Sequence, residues 1–234
     1  MLSVSEQPPA PSSVDWLTPE YHEAVIELLG VLAYGELQAF ERLAADASMA
    51  PDIIHRAALA EMAVGEFGHY QLICARIVEM GADAADAMEP FRAAIDGFHA
   101  STAPADWLEG MVKAYVGDGI GTDFYREVAV YLDPQTKELV DAVCDDLGHS
   151  AFFVDTIREE IERDPVVAGR LALWGRRLMG EALVQAQNEA AEHQGLASLM
   201  IGGQGPDLIE LGAMFKRLTD NHRDRMMSLG LRAA

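Results

Sequence analysis

Cysteine is almost missing from this chain, with Cys74 and Cys144 the only two in 234 residues. They stand in no metal-binding or redox spacing and both fall in helical patterns, which argues against a disulfide framework and for reduced core thiols. No run of about 20 apolar residues occurs, which leaves no membrane-spanning helix. The amino terminus lacks a basic region followed by an apolar stretch, so the expectation is a soluble, cytoplasmic chain with no membrane partner. Cations are scarce as well: 17 Lys and Arg face 38 Asp and Glu, for a net charge of −21. Phosphate contacts depend on cationic side chains, so general nucleic-acid affinity is disfavoured. Strand-like alternation is also lacking, and the fold class is all-α.

What the chain does have is apolar residues, 50% of the total, enough at this length to bury a substantial core. Residues 1–14, rich in Ser, Pro, Gln and Ala, read as a disordered lead-in. Thr18-Pro19 caps a first helix running to about Ala47, and Pro51-Asp52 starts a second that Gly81 ends. A short crossover helix is expected around Asp86 to Phe98. Pro104 opens a third long helix to about Leu132, while Asp133-Pro134 and Asp164-Pro165 start a fourth and a fifth. Gly202-Gly203-Gln204-Gly205-Pro206 breaks the chain before a last helix to about Leu229. The architecture expected is a four-helix bundle over residues 15–162 with a crossover helix, and two further long helices packed on it over 163–234.

Charge divides along the same line. Residues 1–162 carry 8 Lys and Arg against 30 Asp and Glu, whereas 163–234 carry 9 against 8. Arg170, Arg176, Arg177, Lys216, Arg217, Arg223 and Arg225 therefore cluster late in the chain, where they read as solvated helix faces or internal partners of nearby acids. The Met-containing last helix, with Met214, Met226 and Met227, is either a homodimer seam or ordinary core filler.

Two motifs carry chemistry. Glu66-Phe-Gly-His69 and Asp146-Leu-Gly-His149 each set a carboxylate three residues before a histidine, on one side of a helix. Both pairs lie in apolar stripes: Leu59, Met62, Glu66, His69, Ile73, Ile77, and Leu139, Val143, Asp146, His149, Phe153, Ile157. Such stripes face a core, where unpaired carboxylates cost several kcal/mol or take up a proton. Each preceding helix adds one more carboxylate on an apolar stripe, Glu36 and Asp118. Glu36 precedes Glu66 by 30 residues and Asp118 precedes Asp146 by 28, so the constellation occurs twice. Four carboxylates and two histidines on four helices is the arrangement of di-iron and di-manganese bundles, and oxygen and imidazole donors suit iron or manganese.

Other residues need weighing beside these six. Glu41, Asp123 and Glu127 are reserve ligands, Asp123 foremost. Glu181 and His222 make a weaker pair on the last two helices that either form a separate small site or do not. His55, His99 and His193 read as surface residues. Tyr34, Tyr70, Tyr115 and Tyr125 either line a pocket or are plain core. Gly117, Gly119 and Gly121 surround Asp118 at about 1 kcal/mol each relative to alanine. They leave space for O2 or substrate, permit a π-bulge, or allow close helix packing.

Tyr34-Gly-Glu36, Glu66-Phe-Gly-His69, Ala114-Tyr-Val-Gly-Asp118-Gly-Ile-Gly and Asp146-Leu-Gly-His149-Ser-Ala-Phe together resemble the ferritin-like superfamily. Within it the likeness is to the tRNA 2-methylthio-isopentenyladenosine hydroxylase (MiaE) group and its MiaE-like relatives, over residues 18 to 162. The last two helices fit the MiaE-like branch. This resemblance implies that Glu36, Glu66 and His69 hold one iron and Asp118, Asp146 and His149 the other, with Glu66 and Asp146 bridging. Aspartate stands at 118 and 146 where glutamate is usual. The implied cofactors are two iron ions, with manganese or a mixed pair as alternatives. The implied activity is dioxygen activation by an oxygenase or hydroxylase, with an external electron donor and a small-molecule or tRNA-derived substrate. A ferroxidase or iron-handling protein, and an interaction protein with a structural di-metal site, are the alternatives.

Overall fold

The structure, a computed structural model, describes residue 16 and residues 18–145, 149–200 and 208–232. Every regular element among them is helical. Four helices build the first part: α1 (Pro19–Asp46), α2 (Ile53–Glu79), α3 (Ala84–Ser101) and α4 (Trp107–Ala129). They are followed by α5 (Pro134–Val143), α6 (His149–Arg163), α7 (Val167–Glu192), α8 (Gln194–Met200) and α9 (Leu208–Ser228). None is long and apolar enough to cross a membrane, among the described residues.

Helix starts are chemically explicit. The Thr18 hydroxyl accepts from Tyr21 N at 3.1 Å with Pro19 in the first turn, Asp52 accepts from Ile54 N and His55 N, and Asp133 accepts from Gln135 N and Thr136 N. Each satisfies donors that the helix itself leaves unpaired. The third long helix starts at Trp107, not at Pro104, because Asp106 and Glu109 form a reciprocal cap. Asp106 accepts from Glu109 N at 3.0 Å, and Glu109 reaches back to Ala105 N at 2.9 Å.

The expected single fourth helix arrives as two, α5 and α6. Cys144 closes the last turn of α5 through its N–H to Val140 O, but its carbonyl accepts from Arg126 Nη2 of α4 at 2.8 Å. A side chain has taken the acceptor that a continuing helix would use. The lead-in 1–14 and the glycine-rich break at 202–206 lie outside the described residues.

Packing sets the layout. α1 lies mainly on α2 and also on α3 and α8, while α4 lies on α7 and α9. Gly30 of α1 permits the crossing of α3, since a Cβ there would overlap the Ala87 carbonyl. The buried apolar residues form two clusters. One gathers Leu28, Leu29, Ile73, Phe91, Val128 and Leu218; the other gathers Leu43, Leu59, Met111, Val116, Leu171 and Met226. On α1 the two meet between Ala33 and Leu43, on α2 between Ala63 and Ile73, and on α4 between Val116 and Val128. Glu36, Glu66, His69 and Asp118 all fall in that intervening layer. Met214 and Met226 are core filler, whereas Met227 is exposed.

Candidate metal centre

The layer between the two apolar clusters holds a compact polar group. Glu36 of α1 and Glu66 and His69 of α2 each offer one ligand atom, all within 4.8 Å of one another. His69 Nδ1 lies 3.5 Å from Glu36 Oε2 and 3.6 Å from Glu66 Oε2, longer than ordinary hydrogen bonds. Glu36 Oε2 is buried and has no hydrogen-bond partner. Burial pushes the Glu36 carboxyl up to about 8, and the Glu36 and Glu66 carboxylates beside the ring push His69 up to about 10. Two carboxylates and one imidazole, with an orphaned buried oxygen among them, fit a hard or borderline divalent cation such as iron or manganese.

Of the second set, Asp118 lies beside this group, lining the same two cavities as Glu66, but outside the 4.8 Å cluster and open to solvent. Asp146 and the side chain of His149 lie outside the described residues. The reserve ligands are otherwise engaged. Asp123 is ion-paired with Arg225, Glu127 is held by Arg217 through two bonds of 2.7 Å, and Glu41 accepts from Gln38 at 3.2 Å. Glu181 lies 4.0 Å from Arg177, and His222 is buried with both ring nitrogens unpartnered.

Several late cations thus serve as internal partners of acids. Arg170 contacts Glu109 at 2.5 Å and Asp106 at 2.7 Å, while Arg177 instead donates to a backbone carbonyl, Ser101 O, at 2.6 Å.

Two cavities meet at the group. The larger, about 330 Å³, is lined mainly by apolar residues of α1, α3, α4 and α7, including Val31, Ile95, Ile120, Phe124 and Leu183, with Glu36, Glu66 and Asp118 on its wall. The smaller, about 170 Å³, is polar and touches Glu66, His69, Asp118 and Arg225. Gly117 and Gly121 line the large cavity, while Gly119 receives the Arg225 side chain, so the three glycines serve both space and close packing. Tyr125 lines the large cavity, and burial raises its phenol far above the usual range. Tyr115 lines the smaller one, and Tyr34 instead donates to Asp96 at 2.7 Å.

His99, read from sequence as a surface residue, is half-buried and lines the large cavity, because α3 turns that face inward against α1. Sequence reasoning also passed over Arg42, Asp46 and Lys113, which line one end of the cavity. The signal was present: 36, 39, 43 and 46 continue one helical stripe, and Lys113 interrupts the apolar run Met111 to Val116.

A helical bundle with a carboxylate and histidine layer between two apolar cores defines the ferritin-like class. The chain belongs to the family described as "Ferritin-like domain, actinomycetes", whose model matches residues 19–203. In fold it is similar to the solved structure of "Protein 19 with aldehyde deformylating oxidase activity from Synechococcus". The TM-score is 0.70 at 20% identity, covering 94% of this chain and 95% of that one. No curated protein matches the chain in sequence.

Proposed function

We propose that this protein is a di-iron carboxylate oxygenase or hydroxylase of the MiaE-like branch, acting on a substrate taken into the large apolar cavity. The observation that carries this reading is that two members of the Glu36–Glu66–His69 group, Glu36 and Glu66, stand on the wall of a cavity of about 330 Å³. A metal serving only to hold helices together has no use for such a space. The Synechococcus neighbour, named for an aldehyde deformylating oxidase activity, supports oxygen chemistry on a bundle of this shape.

In this reading Glu36, Glu66 and His69 hold one metal, and Asp118, Asp146 and His149 hold the other. The metal pair supplies dioxygen reduction: one oxygen atom enters a substrate C–H bond and the other leaves as water, with two electrons and two protons from an external donor. Protein side chains do the remaining work. Ile120, Phe153 and Leu178 keep bulk water from the reacting carbon, and Gly117 and Gly121 leave room beside it. The Tyr125 hydroxyl remains protonated and is available as a hydrogen-bond donor on the cavity wall. The acidity of the bundle part favours a small molecule over intact tRNA as substrate.

Anaerobic loading of the full chain with ferrous iron tests the reading. About two equivalents per chain are expected, as in other di-iron bundles, followed by O2 uptake on mixing with a reductant. Loading below one equivalent, insensitive to His69→Ala, sinks it.

A further inference from the structure

We propose that Lys113, at one end of the large cavity, is a Schiff-base anchor for apolar aldehydes and ketones, which makes the cavity a capture site for carbonyl compounds. The chain has three lysines, Lys113, Lys137 and Lys216. The side chains of Lys137 and Lys216 reach solvent, each paired with an aspartate four residues on, Asp141 and Asp220. Lys113 differs from both: it is 6% exposed and lines the cavity beside Arg42, Asp46 and His99. A lysine is seldom buried, because its charge must then leave water. This end of the cavity is nevertheless electrically closed. Asp46 is the countercharge of Lys113, and Arg42 is paired with Glu41 at 3.6 Å. A ligand here needs no charge of its own, and what the wall offers it is a nucleophile.

Lys113 Nζ donates to the Thr102 carbonyl at 2.8 Å and lies 5.8 Å from the Phe98 ring centroid. One N–H is thus committed, which aims the nitrogen while leaving its other positions for the cavity. Burial lowers Lys113 to about 8, so at neutral pH it holds far more free amine than an exposed lysine does. Imine formation balances without oxidant or reductant. The ammonium gives one proton to the Asp46 carboxylate, whose affinity for it is raised by burial. The nitrogen pair then attacks the carbonyl carbon, and the C=O pair moves onto oxygen. A second N–H proton passes to that oxygen, the Asp46 proton follows, and the C–O bond breaks to release water as C=N forms. The iminium keeps one N–H and the positive charge, with the Asp46 carboxylate restored as its counter-ion. His99 Nδ1, buried on the same wall with no hydrogen-bond partner, can donate to the carbonyl oxygen in the tautomer protonated there. From this anchor the apolar body has room along α1 toward Val31, about 22 Å at 1.5 Å per residue, among Ile120, Phe124 and Leu183. The anchor stands on this geometry apart from the oxygenase reading.

The probe is decanal, added with sodium cyanoborohydride to the purified full chain at neutral pH, so that any iminium is reduced in place to a stable decyl amine. Peptide mass spectrometry then reads the label at each lysine over time. Lys113 is expected to be labelled at least tenfold faster than Lys137 or Lys216. Unfolding in urea should bring the three rates together, and excess decan-1-ol, which fills the cavity but forms no imine, should slow Lys113 alone. Lys113→Arg keeps a cation and a donor for the Thr102 carbonyl, so it should fold, lose the fast phase and leave the other two rates unchanged. A Lys113 that serves only to hold the Thr102 carbonyl stays unlabelled. Labelling of Lys113 no faster than of Lys137 and Lys216, a preference that survives urea, or one untouched by decan-1-ol overturns the proposal. Iron content of the same protein separates it from the oxygenase. Selective labelling without iron uptake keeps the anchor and removes the oxygenase, whereas iron uptake without selective labelling does the reverse.

Discussion

Arg225 of α9 is ion-paired with Asp123 of α4, and its side chain lies where Gly119, one turn earlier, has no Cβ. The pair is well shielded, at 16% and 11% side-chain exposure. Removing one member of a buried pair strands the other, so Arg225→Ala is expected to cost about 3 kcal/mol. Lys216→Ala, on the exposed face of the same helix, should leave stability nearly unchanged. Gly119→Ala supplies a sign test. With Arg225 present it should lose about 1 to 3 kcal/mol through overpacking, and in the Arg225→Ala background it should gain up to about 1 kcal/mol as an ordinary helix substitution. Urea unfolding of the four proteins measures this, and an equal effect of Gly119→Ala in both backgrounds refutes the seating.

Gly30 and Gly65 make a second contrast. Both are helix-interior, but a Cβ at 30 meets the Ala87 backbone and one at 65 meets open space. Backbone cannot step aside as a flexible side chain can. Gly30→Ala should therefore destabilise by at least about 1 to 3 kcal/mol, while Gly65→Ala should stabilise by about 0.5 to 1 kcal/mol. Thermal midpoints moving in the same direction would rule out this account of the α1–α3 crossing.

His222 predicts a pH dependence. It is 5% exposed, neither ring nitrogen has a partner, and burial lowers it to about 4. The unfolded chain takes its proton near 6.5 and the folded one only near 4. Stability from the neutral ring is thus complete above pH 6.5 and is lost progressively as pH falls through that window toward 4. At about 1.4 kcal/mol per pH unit per proton, the loss between pH 7 and pH 5 is about 1 to 2 kcal/mol. His222→Leu should abolish this component and raise stability at pH 7, because it removes two unsatisfied polar atoms. An unchanged difference between pH 7 and pH 5 in the variant would show that other groups carry it.

Glu36, Glu66 and His69 were legible because helical spacing alone aligns them, and a carboxylate in an apolar stripe stands out without knowledge of tertiary contacts. Asp123 was ambiguous for the opposite reason: its partner, Arg225, lies 102 residues away, and no local pattern reports a pairing at that distance. The break between α5 and α6 was equally hidden. Leu139, Val143 and Asp146 keep helical spacing across it in the sequence, and what takes up the Cys144 carbonyl is Arg126 from another helix. Thr18-Pro19 and Asp133-Pro134 cap their helices as expected, whereas Asp164-Pro165 leads into a turn and α7 begins at Val167. At the start of α4 two signals compete, and the Asp106–Glu109 box prevails over Pro104 because it satisfies backbone donors that proline cannot.

The sharpest prediction separates ligand from structural acid. Metal that binds only the folded chain stabilises it by about 2.7 kcal/mol at a hundredfold excess over Kd, so Mn(II), which avoids air oxidation, should raise the thermal midpoint reversibly with chelator. Glu36→Gln preserves shape but removes the anionic donor. Since burial pushes the Glu36 carboxyl up to about 8, the metal-free group is already largely neutral near pH 7, so Glu36→Gln should leave the metal-free midpoint nearly unchanged while the Mn(II) shift disappears. Asp123→Asn should behave the opposite way. Its carboxylate is committed to Arg225, so the metal-free midpoint falls and the Mn(II) shift persists. A shift that survives Glu36→Gln and vanishes in Asp123→Asn would move the centre one turn along α4 and return Asp123 to the ligand set.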